Sequence, residues 1–400
     1  MVTWRDRCVP LLAFLLTAVY WPGIPGEAVT PRYTLLLIAS IVLFPSRVRW
    51  TFSHVLLLTF FAWETLSFVW AVDLYGGVYE WVYWVSLVAV FFIGSELQSL
   101  APVYMAMSIG MAVSSLFAIL QWFGLVEVAG INDGVNGVAG LFFNPNLMAE
   151  PSALVIVGLI AHRIFWPIPL VLPALALPMA RGPIVALIAS ALCFGRRYVI
   201  SIALLGFAAL AFMWRYHSGS VSGFTGIGER FDIWRDARDG LTFLGHGIGS
   251  FHYEFPAFGH RTQVIITRPD HAHNDFLEIL YETGFIGAAL IGAIVVFALV
   301  RGKSSADRAV LFAFLLEGLV GYPLFSPTTG FIAALLAGNL ANGRYPVFVD
   351  LSFRRIVNGA WQPITRSMAR ASSWTGIPVA LGLSRLRSSR HRHTRQSAAE

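Results

Sequence analysis

The sequence predicts an all-α polytopic membrane protein of about twelve transmembrane helices, interrupted by one long outward-facing polar loop that holds short amphipathic helices. Three observations predict it. The 400 residues are 56% hydrophobic and 12% charged, about half the charge of soluble chains, and the mean hydropathy is +0.67. Apolar segments recur with little chain between them. The Lys and Arg residues collect in alternate connections, as cytoplasmic loops require.

The apolar segments fall at 8–25, 32–45, 52–72, 78–95, 102–126, 147–162, 164–180, 183–195, 198–214, 276–300, 308–323 and 327–342. The first follows Met1 to Arg7 with no small-residue cleavage site before Pro22, so it reads as a retained span. In 164–180, Pro167, Pro169, Pro173 and Pro178 remove backbone donors and predict a kinked helix. Arg5, Arg7, Arg47, Arg49, Arg163, Arg196, Arg197, Arg301, Lys303, Arg308 and Arg344 share one side. The opposite connections hold few cations except in 215–275. Both termini are therefore expected in the cytoplasm and 215–275 outside. The resulting organisation is nine spans in 1–214, the loop 215–275, three spans in 276–342 and a basic tail at 343–400.

The tail carries nine arginines from Arg354 to Arg395 with no long apolar run, which suits anionic lipid heads. It lacks a nucleic-acid module, so no nucleic-acid partner is expected. Cys8 and Cys193 lie in apolar segments without ligand spacing and read as small core residues, which leaves no disulfide framework.

Four polar pieces bear chemistry. Gly140-Leu-Phe-Phe-Asn144-Pro145-Asn146 closes a connection before a span, where a helix cap is the plain reading. Ala180-Arg181-Gly182-Pro183 sets a guanidinium between apolar segments, where it either snorkels or meets an anion. Gly228 to Gly240 places Phe231, Trp234 and Leu241 near helical spacing, and Arg230 and Trp234, four apart, share a face. Arg235 and Arg238 have Asp232, Asp236 and Asp239 as ready partners. The following Gly245-His-Gly-Ile-Gly249-Ser-Phe turn is supple enough to offer backbone N–H groups to an anion.

The fourth piece, Asp270-His271-Ala-His273-Asn274-Asp275-Phe276-Leu-Glu278, stands where the loop re-enters a span. Histidine there can exchange a proton near neutral pH. A metal reading of His-x-His-x-Asp lacks the next histidine, since Phe276 occupies that place, so no metal is expected.

In this order, Arg-Phe-Asp-Ile-Trp (230–234), Gly-His-Gly-Ile-Gly-Ser-Phe (245–251) and His-Asn-Asp-Phe-Leu-Glu running into Glu282-Thr-Gly284 (273–284) resemble the O-antigen ligase and polymerase family of bacterial envelope glycosyltransferases. The resemblance covers roughly 135–300, and the chain departs from the family pattern at Ala180 and Pro183. It implies a GT-C-like ligase fold in the bacterial inner membrane with a periplasmic active site. It also implies transfer of a glycan from undecaprenyl diphosphate to an acceptor hydroxyl without cofactor, nucleotide sugar or metal. The acceptor is lipid A-core for a ligase, a growing glycan for a polymerase, or a protein hydroxyl. By position, His273 becomes the catalytic histidine and Arg181 and Arg230 the diphosphate binders. Asn274 or His271 would orient the His273 ring, with Arg268 a reserve anion ligand and Trp234 and Asn146 supporting. Rival classes are a transporter, motivated by Glu64, Glu150 and Glu317 in apolar segments, and a non-catalytic scaffold.

Overall fold

The computed structural model describes residues 4–21, 29–46, 48–126, 138–142, 144–190, 225–252, 270–302 and 304–341. Among them are twelve α-helices and no strand. These are α1 (Arg5–Ala18), α2 (Thr30–Val42), α3 (Phe52–Leu66), α4 (Leu74–Glu96), α5 (Ala101–Trp122) and α6 (Pro145–Ala161). There follow α7 (Ile168–Ala176), α8 (Arg181–Ser190), α9 (Thr225–Asp239), α10 (Asp275–Arg301), α11 (Ser305–Gly318) and α12 (Pro327–Ala341). The 198–214 segment, Cys193, Arg268 and the basic tail 343–400 lie outside the described residues.

Every other apolar segment coincides with a helix, and the helices differ widely in length. Four helical stretches are long and apolar enough to cross a membrane: Phe52–Val69 (α3 with a 3-10 turn), α4, α5 and α10. The proline-rich 164–180 segment shrinks to the nine residues of α7, about 14 Å of rise against a hydrocarbon core of about 30 Å. Pro167, which begins α7, and Pro173 inside it account for the shortening.

Local chemistry sets where helices begin. Asp73 caps α4 by accepting from Tyr75 N, Asn144 caps α6 from Asn146 N, and Ser304 caps α11 from Asp307 N. Thr51 and His54 close a reciprocal capping box on α3. Pro145 and Pro327 supply pre-set dihedrals at the first positions of α6 and α12.

Packing rests on small residues at close crossings, the route by which apolar helices gain contact without a water-driven force. A Cβ on Gly338 of α12 would strike the Phe91 carbonyl of α4, and one on Gly94 of α4 would strike Leu335 of α12. The same logic joins α5 to α1 at Gly110 against Thr17, and α6 to α5 at Gly158 against the Tyr104 ring. Arg32, in the first turn of α2, is 2% exposed. It donates to the carbonyls of Leu16 and Leu141 and lies 4.0 Å from the Phe142 ring centroid. It thereby ties α1, α2 and residues 138–142 together.

These crossings predict opposite outcomes for two glycine-to-alanine changes. Gly338→Ala lowers the thermal midpoint of the purified protein because a backbone carbonyl must yield. Gly292→Ala in α10, where nothing stands within 4 Å, holds or raises it, since alanine is favoured over glycine in a helix by about 1 kcal/mol. A scanning-fluorimetry melt of each variant measures both.

Candidate functional site at the head of helix α10

Helix α10 starts abruptly because Asn274 stands at its N-cap and accepts from Leu277 N at 3.0 Å. One turn in, Glu278 reaches back over the entering chain. Its Oε1 accepts from His271 Nδ1 at 2.7 Å and its Oε2 from Ala272 N at 2.8 Å. A carboxylate only accepts, so the His271 proton at this bond sits on Nδ1. His273, between these anchors, has φ 51°, a left-handed conformation that costs a non-glycine residue about 1–2 kcal/mol. Its Nδ1 is buried with no hydrogen-bond partner.

Two further elements close on this turn. Helix α9 presents Arg230 and Trp234 from one face, as their spacing predicts. Trp234 Nε1 donates to the Ala272 carbonyl at 2.8 Å, and Arg230 Nη1 donates to the Val320 carbonyl. The connection from α11 to α12 brings Tyr322, whose ring stacks on His271 (centroids 4.5 Å, 21°) and meets His273 edge-on (5.1 Å, 67°). Asp275 fixes that connection by accepting from Leu324 N at 3.0 Å. Arg181, the half-buried first residue of α8, is followed by Gly182, which lies against the Val320 side chain. Val320 thus meets Arg230 through its carbonyl and Gly182, the neighbour of Arg181, through its side chain.

The electrostatics divide the two histidines. Burial, then the charges of Arg230 and His271, push His273 down to about 3, so it is neutral at physiological pH. Burial also opposes a charge on His271, but the Glu278 carboxylate, helped by Glu80 and Asp270, outweighs it and raises the group above the ordinary histidine value. Arg230 is lowered by burial, an effect partly offset by the Glu150 carboxylate and Tyr322. The Tyr322 phenol is raised, chiefly by burial. A neutral imidazole, an imidazole biased to carry charge and an arginine thus share one corner.

Several expectations change. Neither Asn274 nor His271 bonds to His273 Nδ1, which has no partner; the Asn274 oxygen serves the helix cap and His271 Nδ1 serves Glu278. The glycine turn 245–251 offers no free cradle for an anion. Its N–H groups go to the Tyr281 and Glu282 carbonyls, to Ser67 Oγ and to Glu282 Oε1. Gly245 and Gly284 (φ 78° and 65°) pack backbone against backbone where α10 breaks helical geometry. On α9, Ile233 and Ala237 form the buried face with Phe251, Ala272 and Tyr281. Trp234 and Leu241 pack against that face, while Phe231 is 49% exposed and sets its ring edge-on to Trp234.

Arg235 and Arg238 do pair with acids, at 3.3 Å to Asp232 and 2.8 Å to Asp239, which separates them from Arg230. Asn146 lies in the first turn of α6, four residues before Glu150 and on its face. Tyr322 escaped the sequence reading because its connection bears no charge, and Glu278 because it was read only as part of a pattern. An ionisable residue four positions beyond the cap of an apolar helix was the available signal.

Among the described residues no group of three or more His, Cys, Asp and Glu side chains is arranged to hold a metal ion. A cavity of about 100 Å³ adjoins the site, lined by Leu57, Trp84, Phe91, Ile279, Ile294 and Phe314, with Asp275 as its polar residue. No protein-family model matches the chain, and no curated protein matches it.

The packing of the glycine turn predicts that Gly284→Ala, which drives a Cβ into the Phe243 carbonyl, releases residues 243–251 from α10. Limited proteolysis then cuts within 240–252 at least ~10-fold faster than in the wild-type protein, the response expected of a segment whose local unfolding has become easy.

Proposed function

We propose that the chain is an integral-membrane glycosyltransferase of the O-antigen ligase type. It moves a glycan from an undecaprenyl-diphosphate carrier to an acceptor hydroxyl at the periplasmic face of the bacterial inner membrane. One observation carries the reading. Arg230, a neutral His273 and a Glu278-bound His271 converge around Tyr322 at the point where an apolar helix begins. That is where the headgroup of a membrane-held donor lies and where a soluble acceptor can reach it.

In this reaction the acceptor oxygen attacks the anomeric carbon as its proton passes to His273. The bond from that carbon to the diphosphate oxygen breaks, and the diphosphate leaves with the electron pair. Arg230, joined by Arg181 as the resemblance implies, neutralises the charge that develops on it. His273 is unprotonated, as a base must be, and a diphosphate bound at Arg230 offsets part of the positive charge that lowers its proton affinity. The reading includes about twelve spans, a periplasmic loop at 215–275, a cytoplasmic basic tail and a GT-C-like arrangement. It uses no cofactor. Lipid A-core is the favoured acceptor, with a growing polysaccharide as the alternative.

A second reading, a transporter, draws on buried carboxylates. Glu64, Glu150, Asp275 and Glu317 each carry a side-chain oxygen that is buried without a hydrogen-bond partner, and intramembrane acids commonly relay ions. The transferase reading is favoured because the arginine and imidazoles gather at one end of an apolar helix.

The test is the polysaccharide ladder of the host on a gel. His273→Ala is expected to lower transfer by about 10²–10⁴-fold and Arg230→Ala by about 10²–10³-fold, with Arg181→Ala weakening it in the same direction. Long chains missing from lipopolysaccharide while lipid-linked polymer accumulates mark a ligase. Products stopped at one repeat mark a polymerase. Normal ladders from expressed variants contradict the transferase reading.

A further inference from the structure

His271 is held by a carboxylate on one side and by aromatic rings on its face. Its Nδ1–H is engaged by Glu278 at 2.7 Å, and its ring is clamped against Tyr322 at 4.5 Å and against Phe325 at 5.3 Å. Yet 30% of the side chain remains exposed, so the ring is fixed and its other nitrogen, Nε2, is the one left for a ligand. The turn holding it is fixed as well, since Ala272 is gripped by Glu278 through its N–H and by Trp234 through its carbonyl. Such a ring is preorganised to donate along one direction. We propose that His271 is a phosphate ligand, presenting Nε2–H to an oxygen of the same lipid-linked diphosphate that Arg230 holds.

The charges around the ring support the assignment. Glu278 on α10, Glu80 on α4, Asp270 on the entering chain and Glu150 on α6 all favour its protonated form. Arg230 on α9 and the phenol of Tyr322 face the same corner. Both oxygens of Glu278 are already bonded to His271 and Ala272. An incoming diphosphate therefore meets the imidazolium and the guanidinium as donors. A cation held by a carboxylate behind it and open in front is a charge-assisted donor, stronger than a neutral imidazole. The two histidines then divide the labour: His271 binds the leaving group and His273 takes the acceptor proton.

The inference rests on the transferase reading, and the experiment separates the two. The full-length protein in lipid nanodiscs is titrated with undecaprenyl diphosphate, and in a parallel arm with inorganic diphosphate, from pH about 6 to about 9, upward from the ordinary histidine value of about 6.5. The imidazolium is present below the His271 pKa and lost above it, so wild-type affinity for the lipid falls about tenfold as pH rises. His271→Gln binds about tenfold more weakly at the acid end and loses this slope. Glu278→Gln keeps the slope but moves its midpoint to lower pH, a change that a purely structural role would not produce. Tight binding in the lipid arm alone places the chain as well as the phosphate in the site, and equal binding in both arms marks a phosphate site alone; either supports the ligand role. If His271→Gln keeps the wild-type affinity and slope while Arg230→Ala loses affinity, the His271 assignment fails and the transferase reading stands. If His271→Gln abolishes transfer with diphosphate binding intact, His271 is a base and the proposal is overturned. If the wild-type protein binds neither diphosphate at any pH, both readings fail.

Discussion

The hydrogen bond from His271 to Glu278 is the contact on which the head of α10 depends. Glu278 is 2% exposed, so its carboxylate is tolerated only because each oxygen finds a donor, one on the imidazole and one on the Ala272 backbone. Those two bonds turn the entering chain through His273, hold that residue in its left-handed conformation and present Ala272 O to Trp234. Tyr322 then has a flat imidazole to stack on, and Asp275 holds the 3-10 turn that follows Tyr322. Residues from α9, α10 and the α11–α12 connection thus form one polar corner organised by two buried acids of α10, Glu278 and Asp275.

The scaffold beneath it is also backbone-driven. Gly284 breaks α10 two turns below Glu278, and the break receives the 243–251 turn through main-chain bonds to Tyr281, Glu282 and Phe243. Glu282 repeats the Glu278 device one turn later, accepting from Phe251 N. The His246 ring stacks on Tyr281 at 4.3 Å. Glycine is needed at Gly245 and Gly284 because two backbones touch there, and this is why a turn that looks suited to an anion serves as a clasp between α9 and α10.

The helical character of the chain was legible because apolar runs bounded by Asn, Asp, Ser and Pro caps leave little else possible for the backbone. Helix lengths were less legible. Hydropathy sums side chains and does not register how far Pro167 and Pro173 shorten α7. The shared face of Arg230 and Trp234 followed from spacing alone, and Asn144 proved to be the cap its sequence context implies. The partners of His271 and His273 were not legible, because Tyr322 joins them from 49 or more residues away in an uncharged connection. The burial of Arg32 was not legible for a similar reason: the carbonyls it donates to, Leu16 and Leu141, belong to other segments.

The central claim is that this corner transfers a glycan from a lipid diphosphate. Its most direct test is reconstitution of the purified full-length protein in liposomes with a radiolabelled glycan on undecaprenyl diphosphate and lipid A-core as acceptor. The account predicts that label moves to lipid A-core with stoichiometric release of undecaprenyl diphosphate, and that Arg230→Ala suppresses this by about a hundredfold or more. Label that stays on the carrier in the presence of wild-type protein and both candidate acceptors, lipid A-core and a polysaccharide chain, would contradict it.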